Sequence, residues 1–189
     1  ALDCDLSVEA FGGAANWLDA SAERAGVFAN ATPRYYDIWA LRHDSWCSGD
    51  CWHPIWGRDP GEPFEVAKIR EVFRRQIEIP VDLPPFAVRS AFGGLGLYKM
   101  SYALGGVYCG IDHQDRPVSE HVAFNQAIGA AGGQLHIFPT LVVKAPQQHL
   151  YNALEFGWRW RLAMLGWRFR ERRNPPWRAL MSGRAGQTS

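Results

Sequence analysis

The chain has 189 residues, of which 47% are hydrophobic and 21% are charged, and its formal net charge is +1. This composition is typical of one globular domain with a sizeable core and excludes a disordered chain. The near-neutral charge gives no whole-chain argument for nucleic-acid binding, and no apolar run reaches the roughly 18 residues that a membrane span needs.

The chain opens on an apolar stretch that carries two acidic side chains, Asp3 and Asp5. Side chains two residues apart on a strand point to the same face, so both carboxylates can reach one site at the carboxyl edge of a sheet. Oxygen ligands suit Mg²⁺ or Mn²⁺, and these ions suit a diphosphate. The alternative is that the pair only caps the following helix.

The next part of the chain alternates between helix and strand signals. Apolar positions at helical spacing predict a helix that runs to Arg24 and ends at Gly26. Runs rich in β-forming residues predict a short strand over 27–30 and a second strand over 36–41. Residues 43–62 then form a predicted long ordered loop, and such loops in compact domains are often functional.

The predicted loop contains Cys47 and Cys51 in a C-x₃-C pair. Zinc would need two further ligands, and no second pair of cysteines supplies them. A local disulfide and two free thiols stay open as alternatives, and the absence of a secretory signal favours free thiols. Cys4 and Cys109 stand in apolar contexts and are predicted to be small core residues.

A second group of elements follows the loop. Pro63 opens a predicted helix, and strands are predicted over 86–88 and 92–98 with a short helix over 99–104. The glycines at 93–96 do not lead into the helix that a dinucleotide-binding loop requires, so we expect a ligand or another backbone to approach them closely.

Ser119 caps the most regular predicted helix, which is followed by a buried strand over 135–143. Glu120 and His121 stand in its first turn, where an acid can simply favour the helix terminus. The functional alternative is a general base that takes a proton from an acceptor hydroxyl, with His121 sharing this task or orienting Glu120. His136 on the strand is either a core histidine or a third metal ligand.

The last predicted helix runs from His149 to Arg173 and combines apolar with basic residues. Its predicted apolar face comprises Leu150, Leu154, Trp158, Leu162, Leu165 and Phe169, with arginines at 159, 161, 168, 170, 172 and 173 elsewhere. Such a helix can lie on an anionic membrane surface, or it can pack its apolar face on the part of the domain that we expect to be missing from this sequence. We therefore divide the chain into a catalytic domain over 1–146 and a basic C-terminal helix and tail over 147–189.

The order of these pieces resembles the C-terminal two-thirds of a GT-A type glycosyltransferase, over roughly residues 1–145. Four segments carry the resemblance. Asp3-Cys4-Asp5 is similar to the DxD motif, and SAFGGLGLYK at 90–99 is similar to the acceptor-side strand. VSEHVAFN at 118–125 is similar to the helix start with the catalytic acid, and YYDIWALR at 35–42 is similar to a segment of bacterial and fungal glycosyltransferase-like proteins, some related to capsule mannosyltransferases.

The resemblance implies an α/β fold: a partial GT-A three-layer sandwich with a C-terminal amphipathic helix. The first strands of that superfamily, which hold the nucleotide base, have no counterpart in the sequence from Ala1 onward, and we recognise no charged and apolar leader pattern there. We therefore expect an N-terminally truncated catalytic domain and no signal peptide.

The resemblance also implies a metal-dependent transferase that moves a sugar from a nucleotide-diphosphate donor to an acceptor hydroxyl. Asp5 would hold Mn²⁺ or Mg²⁺, Asp3 the donor ribose or a metal-bound water, and His136 a further coordination position. Glu120, beside His121, would deprotonate the acceptor and so invert the configuration. The residues expected to shape the sugar and acceptor pocket are Tyr36, Asp37, Trp39, Gly93 and Gly94.

Two other classes of function stay open. Asp3 and Asp5 could serve a metal-dependent phosphoryl or nucleotidyl transferase, or the Trp-rich loop and basic tail could form a non-catalytic carbohydrate-binding or membrane-associated module. For the transferase we expect a glycan or lipid-linked acceptor, a role in polysaccharide biosynthesis and no nucleic-acid partner. The expected location is the cytoplasm, at the inner face of the membrane if the C-terminal helix binds lipid.

Overall fold

The computed structural model describes residues 6–152, 156–173 and 175–178. Asp3, Cys4 and Asp5 lie outside these ranges, as does Leu154. The helices are α1 (Val8–Asp19), α2 (His53–Trp56), α3 (Phe64–Glu71), α4 (Met100–Ala103), α5 (Glu120–Ala130) and α6 (Trp158–Arg173); the strands are β1 (Arg24–Thr32), β2 (Phe86–Val88), β3 (Gly96–Tyr98) and β4 (Gln134–Lys144); and two 3₁₀ turns span Phe73–Arg75 and Gln147–His149.

The strands form one mixed sheet in the order β2-β4-β1-β3. The two long central strands, β1 and β4, run parallel, and the two short outer strands run antiparallel to their neighbours. Nearly all of β1 is buried, which is typical of a strand covered on both faces. The predicted α/β class is therefore confirmed.

Helices cover both faces of the sheet. Alternating side chains of β1 point to opposite faces, so Val27 packs in one cluster with Leu18 of α1, while Phe28 packs in the other. The second cluster also contains Ile128 of α5 and Met164 of α6. Among the described residues, no helix is both long and apolar enough to cross a membrane.

The register of the parallel pairing between β1 and β4 shifts twice, between Arg24 and Gly26 and again between Ala29 and Asn30. The second shift is the larger one, because Ala29 pairs with Phe138 and Asn30 with Val142. The skipped part of β4 contains Pro139, which has no N–H to donate to a ladder. The buried amide of Asn30 donates to the carbonyl oxygens of Pro139 at 3.2 Å and Ile79 at 3.0 Å. One buried side chain thus replaces the missing strand hydrogen bonds at the bulge.

Several predicted elements are confirmed. The strand over 86–88 has its predicted bounds, the short helix occupies Met100–Ala103, and the helices after Pro63 and Ser119 begin where expected. The strand predicted over 135–143 is one residue longer at each end. Caps and periodic apolar residues were sufficient signals for these elements because their local preferences agree with their packing.

The ends of three other elements differ from the prediction. The first helix ends at Asp19 because Arg24 and Gly26 belong to β1, where Gly26 fits between Leu135 and Tyr98. The strand predicted over 92–98 is restricted to Gly96–Tyr98. The last helix begins at Trp158 rather than His149, which ends a 3₁₀ turn instead.

Two further predictions are wrong. Residues 36–41 form a turn rather than a strand, because Asp37 Oδ1 accepts a hydrogen bond from the backbone N–H of Ala40 at 3.3 Å and so closes the chain on itself. Cys109 is exposed rather than buried in the core. Its apolar neighbours Val107 and Ile111 are exposed as well, so an apolar stretch of sequence is not a reliable sign of burial here.

Candidate functional site

A cavity of about 600 Å³ lies among the segments that follow the carboxyl ends of β1 and β4. Residues 36–39 supply one part of its lining, which we call the β1 wall, and residues 119–121 at the start of α5 supply another, the α5 wall. Since α5 leads into the amino end of β4, its own first turn lies at the carboxyl edge of the parallel strands. This edge is where open α/β sheets bind ligands.

The cavity brings together residues that the sequence singled out in separate stretches. Tyr36, Asp37 and Trp39 line it from the β1 wall, and Glu120 and His121 line it from the α5 wall. About 80 residues of sequence separate the two groups. Their roles stay predictions, but their shared position is a finding of the structure.

The two predicted glycines stand directly behind the β1 wall. Gly93 has a φ of 66°, and a Cβ atom built there would lie 2.4 Å from the carbonyl oxygen of Ala29. Gly94 has a φ of 92°, and its Cβ would lie 2.9 Å from the hydroxyl of Tyr36. Only glycine combines this backbone conformation with this close approach. Neither glycine lines the cavity itself, so their predicted part in the sugar pocket is limited to contacts behind the wall with Ala29 and Tyr36.

Asp37 is the half-buried carboxylate of the β1 wall. Its Oδ1 accepts the N–H of Ala40 at 3.3 Å, and its Oδ2 accepts the N–H of Gly93 at 3.4 Å. Burial raises the pKa of Asp37 above its ordinary value, opposed by these two donors and by the nearby imidazoles of His121 and His149. The site thus favours a proton on Asp37 more than water does.

His121 is held in the α5 wall by aromatic rings. Its imidazole stacks on Phe92 at a centroid distance of 4.0 Å and meets the edge of Tyr108 at 5.5 Å. Its Nε2 lies 3.8 Å from Glu120 Oε1, and its buried Nδ1 has no hydrogen-bond partner among the described residues. Glu120 itself is 52% exposed, so its carboxylate is accessible to a molecule in the cavity.

Gln76 joins the two strand ends and was not predicted from the sequence. Its buried side-chain amide donates to the carbonyl oxygens of His149 at 2.6 Å and Tyr36 at 3.3 Å. His149 lies after the carboxyl end of β4, and Tyr36 lies after the carboxyl end of β1. A lone glutamine after a helix carries no motif or periodicity, so no signal in the sequence could have identified this role.

An aromatic shelf of Trp52, Trp56 and Phe64 lies beside the cavity. The ring of Trp52 stacks on Trp56 at 5.9 Å and on Phe64 at 6.4 Å. Both tryptophans line the cavity. Trp56 is 47% exposed and Trp39 is 37% exposed. Exposed rings of this kind offer flat apolar surfaces with polar edges.

Buried polar contacts fix the loop that carries this shelf. Arg42 Nη2 forms an ion pair with Asp50 Oδ2 at 2.8 Å, and Asp50 Oδ1 accepts the N–H of Trp52 at 2.7 Å. Asp50 therefore ties the segment before α2 to Arg42. The predicted loop over 43–62 is interrupted by the short helix α2 (His53–Trp56), which the sequence did not predict. The spacing of Trp52 and Trp56 by four residues was the available sequence signal for the shelf.

Cys47 and Cys51 are buried free thiols in the same loop. Arg75 Nη1 lies 3.2 Å from the Cys47 sulfur, and Cys51 lines the cavity. Burial raises the pKa of both thiols. Of the alternatives left open by the sequence, the structure therefore has two free thiols.

The predicted metal ligands are only partly visible. Asp3 and Asp5 lie outside the described residues, and within those residues no group of three or more His, Cys, Asp and Glu side chains could hold a metal. His136 lies on β4, where its ring meets the edge of Trp17 at 4.9 Å, and it does not line the cavity. The site of Asp3, Asp5 and His136 for Mn²⁺ or Mg²⁺ therefore stays a prediction.

Comparisons with known proteins do not assign the chain to a family. We found no significant match to a protein-family model, to a curated protein or to a solved structure.

Proposed function

We propose that this protein is a glycosyltransferase that moves a sugar from a nucleotide-diphosphate donor to an acceptor hydroxyl bound in the cavity. The observation that carries the proposal is the meeting of Glu120 and His121 with Tyr36, Asp37 and Trp39 at one edge of the sheet. These residues were selected from the sequence for complementary roles in a single reaction. Their convergence is what that reaction requires.

In this proposal Glu120 takes the proton of the acceptor hydroxyl. Its half-exposed carboxylate stands at the amino end of α5, and a positioned base must come within hydrogen-bond reach of the proton that it removes. His121, which the rings of Phe92 and Tyr108 hold in place, limits the directions that the Glu120 side chain can adopt. An attack by the acceptor oxygen on the far side from the diphosphate inverts the sugar configuration.

The β1 wall binds sugar in the same proposal. Asp37, with its raised pKa, can accept a hydroxyl hydrogen bond as a carboxylate and donate one when protonated. Trp39 and the aromatic shelf contact the apolar faces of sugar rings. Mn²⁺ held by Asp3 and Asp5 would neutralise charge on the leaving diphosphate. We also propose that the protein acts in the cytoplasm and contributes to polysaccharide synthesis.

The aromatic shelf also supports a second candidate, a non-catalytic carbohydrate-binding module. Stacked and partly exposed Trp52 and Trp56 can bind a glycan without any proton transfer. This candidate predicts glycan binding that does not depend on Glu120 and yields no product.

The test measures release of nucleoside diphosphate from UDP- and GDP-sugars with Mn²⁺ and oligosaccharide acceptors. We expect Glu120→Gln to lower transfer by roughly 10²- to 10⁴-fold, the usual contribution of a general base, and to leave donor binding intact. Asp5→Asn should abolish metal-dependent donor binding. The matched control is Glu23→Gln, because Glu23 is an exposed carboxylate next to Gln134 at the opposite edge of the sheet.

Each outcome separates the candidates. Transfer that Glu120→Gln removes and Glu23→Gln retains supports the base role. Unchanged transfer in Glu120→Gln would remove Glu120 from the chemistry, and glycan binding without product in the native protein would favour the binding module.

A further inference from the structure

The outward face of α6 is apolar. Trp158, Leu162, Leu165 and Phe169 are between 59% and 69% exposed. At about 100° per residue these four side chains lie within an arc of roughly 60° along the helix. The sequence predicted this apolar stripe, and in the described part of the chain the structure leaves it facing solvent.

The opposite face of α6 attaches the helix to the domain. Met164 is buried in the core and Trp167 packs against the same cluster. Glu171 pairs with Arg34 at 3.0 Å, and Arg34 also donates to the carbonyl oxygen of Gln76 at 2.7 Å. The helix therefore has a separate contact surface, and its outward stripe is not needed for attachment.

Exposed arginines border the outward stripe. They are Arg159, Arg170, Arg172 and Arg173, and the guanidinium groups of Arg159 and Arg173 lie over the rings of Trp158 and Phe169. Glu171 is the single acid of α6, and it faces inward in its ion pair. The outward face thus combines apolar side chains with uncompensated positive charge, whereas a self-complementary interface between two copies would place these arginines against one another.

We propose that the outward face of α6 binds the surface of an anionic lipid bilayer. Trp158, Leu162, Leu165 and Phe169 would enter the boundary between headgroups and acyl chains, with the helix axis in the plane of the membrane. The bordering arginines would contact acidic headgroups, and Trp is well suited to the interfacial depth. The inference depends only on α6 and holds whether or not the cavity transfers sugar.

The experiment is sedimentation of the full chain with vesicles. We compare vesicles of phosphatidylcholine alone with vesicles that also contain phosphatidylglycerol, each at low and high salt. We expect binding to the anionic vesicles, weaker binding at high salt because salt screens exposed charges, and little binding to phosphatidylcholine alone.

Two sets of variants test the two parts of the face. The apolar variant combines Leu162→Gln with Phe169→Gln, and we expect it to weaken binding by roughly tenfold for each side chain. The basic variant combines Arg159→Gln, Arg172→Gln and Arg173→Gln, and we expect it to weaken binding by roughly fivefold for each arginine. The matched control is Met100→Gln with Leu104→Gln, which removes apolar side chains of similar exposure in and after α4. All these residues are exposed, and circular dichroism checks that each variant is folded.

The proposal is overturned if the native protein ignores anionic vesicles, if it binds both vesicle types equally, or if the α6 variants bind as well as the control. It is also overturned if the protein self-associates in size-exclusion chromatography and the α6 variants become monomeric, because the face would then join two copies of the chain.

Discussion

The β1 wall of the cavity is fixed by backbone contacts, whereas the α5 wall is fixed by packed rings. On the β1 side, Asp37 accepts two backbone N–H groups and Gly93 lies directly against the carbonyl of Ala29. On the α5 side, His121 sits between Phe92 and Tyr108 while Glu120 stays half exposed. A rigid wall suits the binding of a sugar, and an accessible carboxylate suits the transfer of a proton. Each prediction below changes one wall and leaves the other as a reference.

The largest effect is expected from Gly93→Ala, directly behind the β1 wall. The new Cβ would meet the Ala29 carbonyl oxygen at 2.4 Å in a residue with positive φ. Overpacking and backbone strain together should lower the free energy of unfolding by about 3–4 kcal/mol. Urea unfolding followed by tryptophan fluorescence measures this change.

Gly132→Ala is the control for that substitution. Gly132 also has a positive φ of 84°, but no atom lies within 4 Å of a Cβ there. Strain alone should cost about 1 kcal/mol. Equal losses in the two variants would show that contact with Ala29 does not fix the β1 wall.

A smaller effect is expected from His121→Ala in the α5 wall. Loss of the ring contacts with Phe92 and Tyr108 should lower the free energy of unfolding by about 1–2 kcal/mol. His121→Phe, which keeps an aromatic ring, should recover most of that loss. His113→Ala, at an exposed loop position, should change stability by less than about 0.5 kcal/mol. Full stability in His121→Ala would contradict the role of ring packing.

The most subtle effect concerns pH. Because burial raises the pKa of Asp37 in the folded protein, the folded state holds this proton more tightly than the unfolded state does. Asp37 makes its full contribution to the free energy of unfolding below its pKa in the unfolded chain, about 3.9. This contribution is lost as pH rises through the higher pKa that Asp37 has in the folded protein.

We therefore expect the native protein to lose stability relative to Asp37→Asn as pH increases from about 4. The measurement is the difference between the two free energies of unfolding at a series of pH values. Titrating groups that do not interact with Asp37 are common to both proteins and cancel in the difference, whereas His121 and His149 belong to the same coupled group. A difference that is constant with pH would show that the Asp37 pKa is the same in the two states.

Local signals in the sequence predicted much of the fold. Ser119 and the apolar residues after it indicated α5, and the run over 135–143 indicated the buried strand β4. The turn at 36–41 was missed because β-forming residues there are overridden by the hydrogen bond from Ala40 to Asp37. The strand propensity of these residues could not reveal that the Asp37 side chain accepts a hydrogen bond from the backbone N–H three residues later.

The candidate site was predicted only in part, because only some of its residues have a signal that is visible in the local sequence. Glu120 and Asp37 carry chemistry that is visible as residue type, so the sequence could select them. Gln76 acts through two carbonyl groups that reach it only in the folded chain. The four-residue spacing of Trp52 and Trp56 was a signal for one half of the shelf, but the contact of Trp52 with Phe64 joins two separate elements. Contacts between residues distant in sequence have no local signal.

The parallel pairing of β1 with β4 has a consequence for synthesis on the ribosome. Arg24 pairs with Gln134, so β1 leaves the ribosome long before its main partner exists. At about 5–20 residues per second the delay is roughly 6–22 s. During that time a strand that is almost wholly buried in the folded protein has an unpaired edge, which is a template for association with other chains. The long sequence separation of its two central strands therefore exposes the nascent chain to association until translation has passed β4.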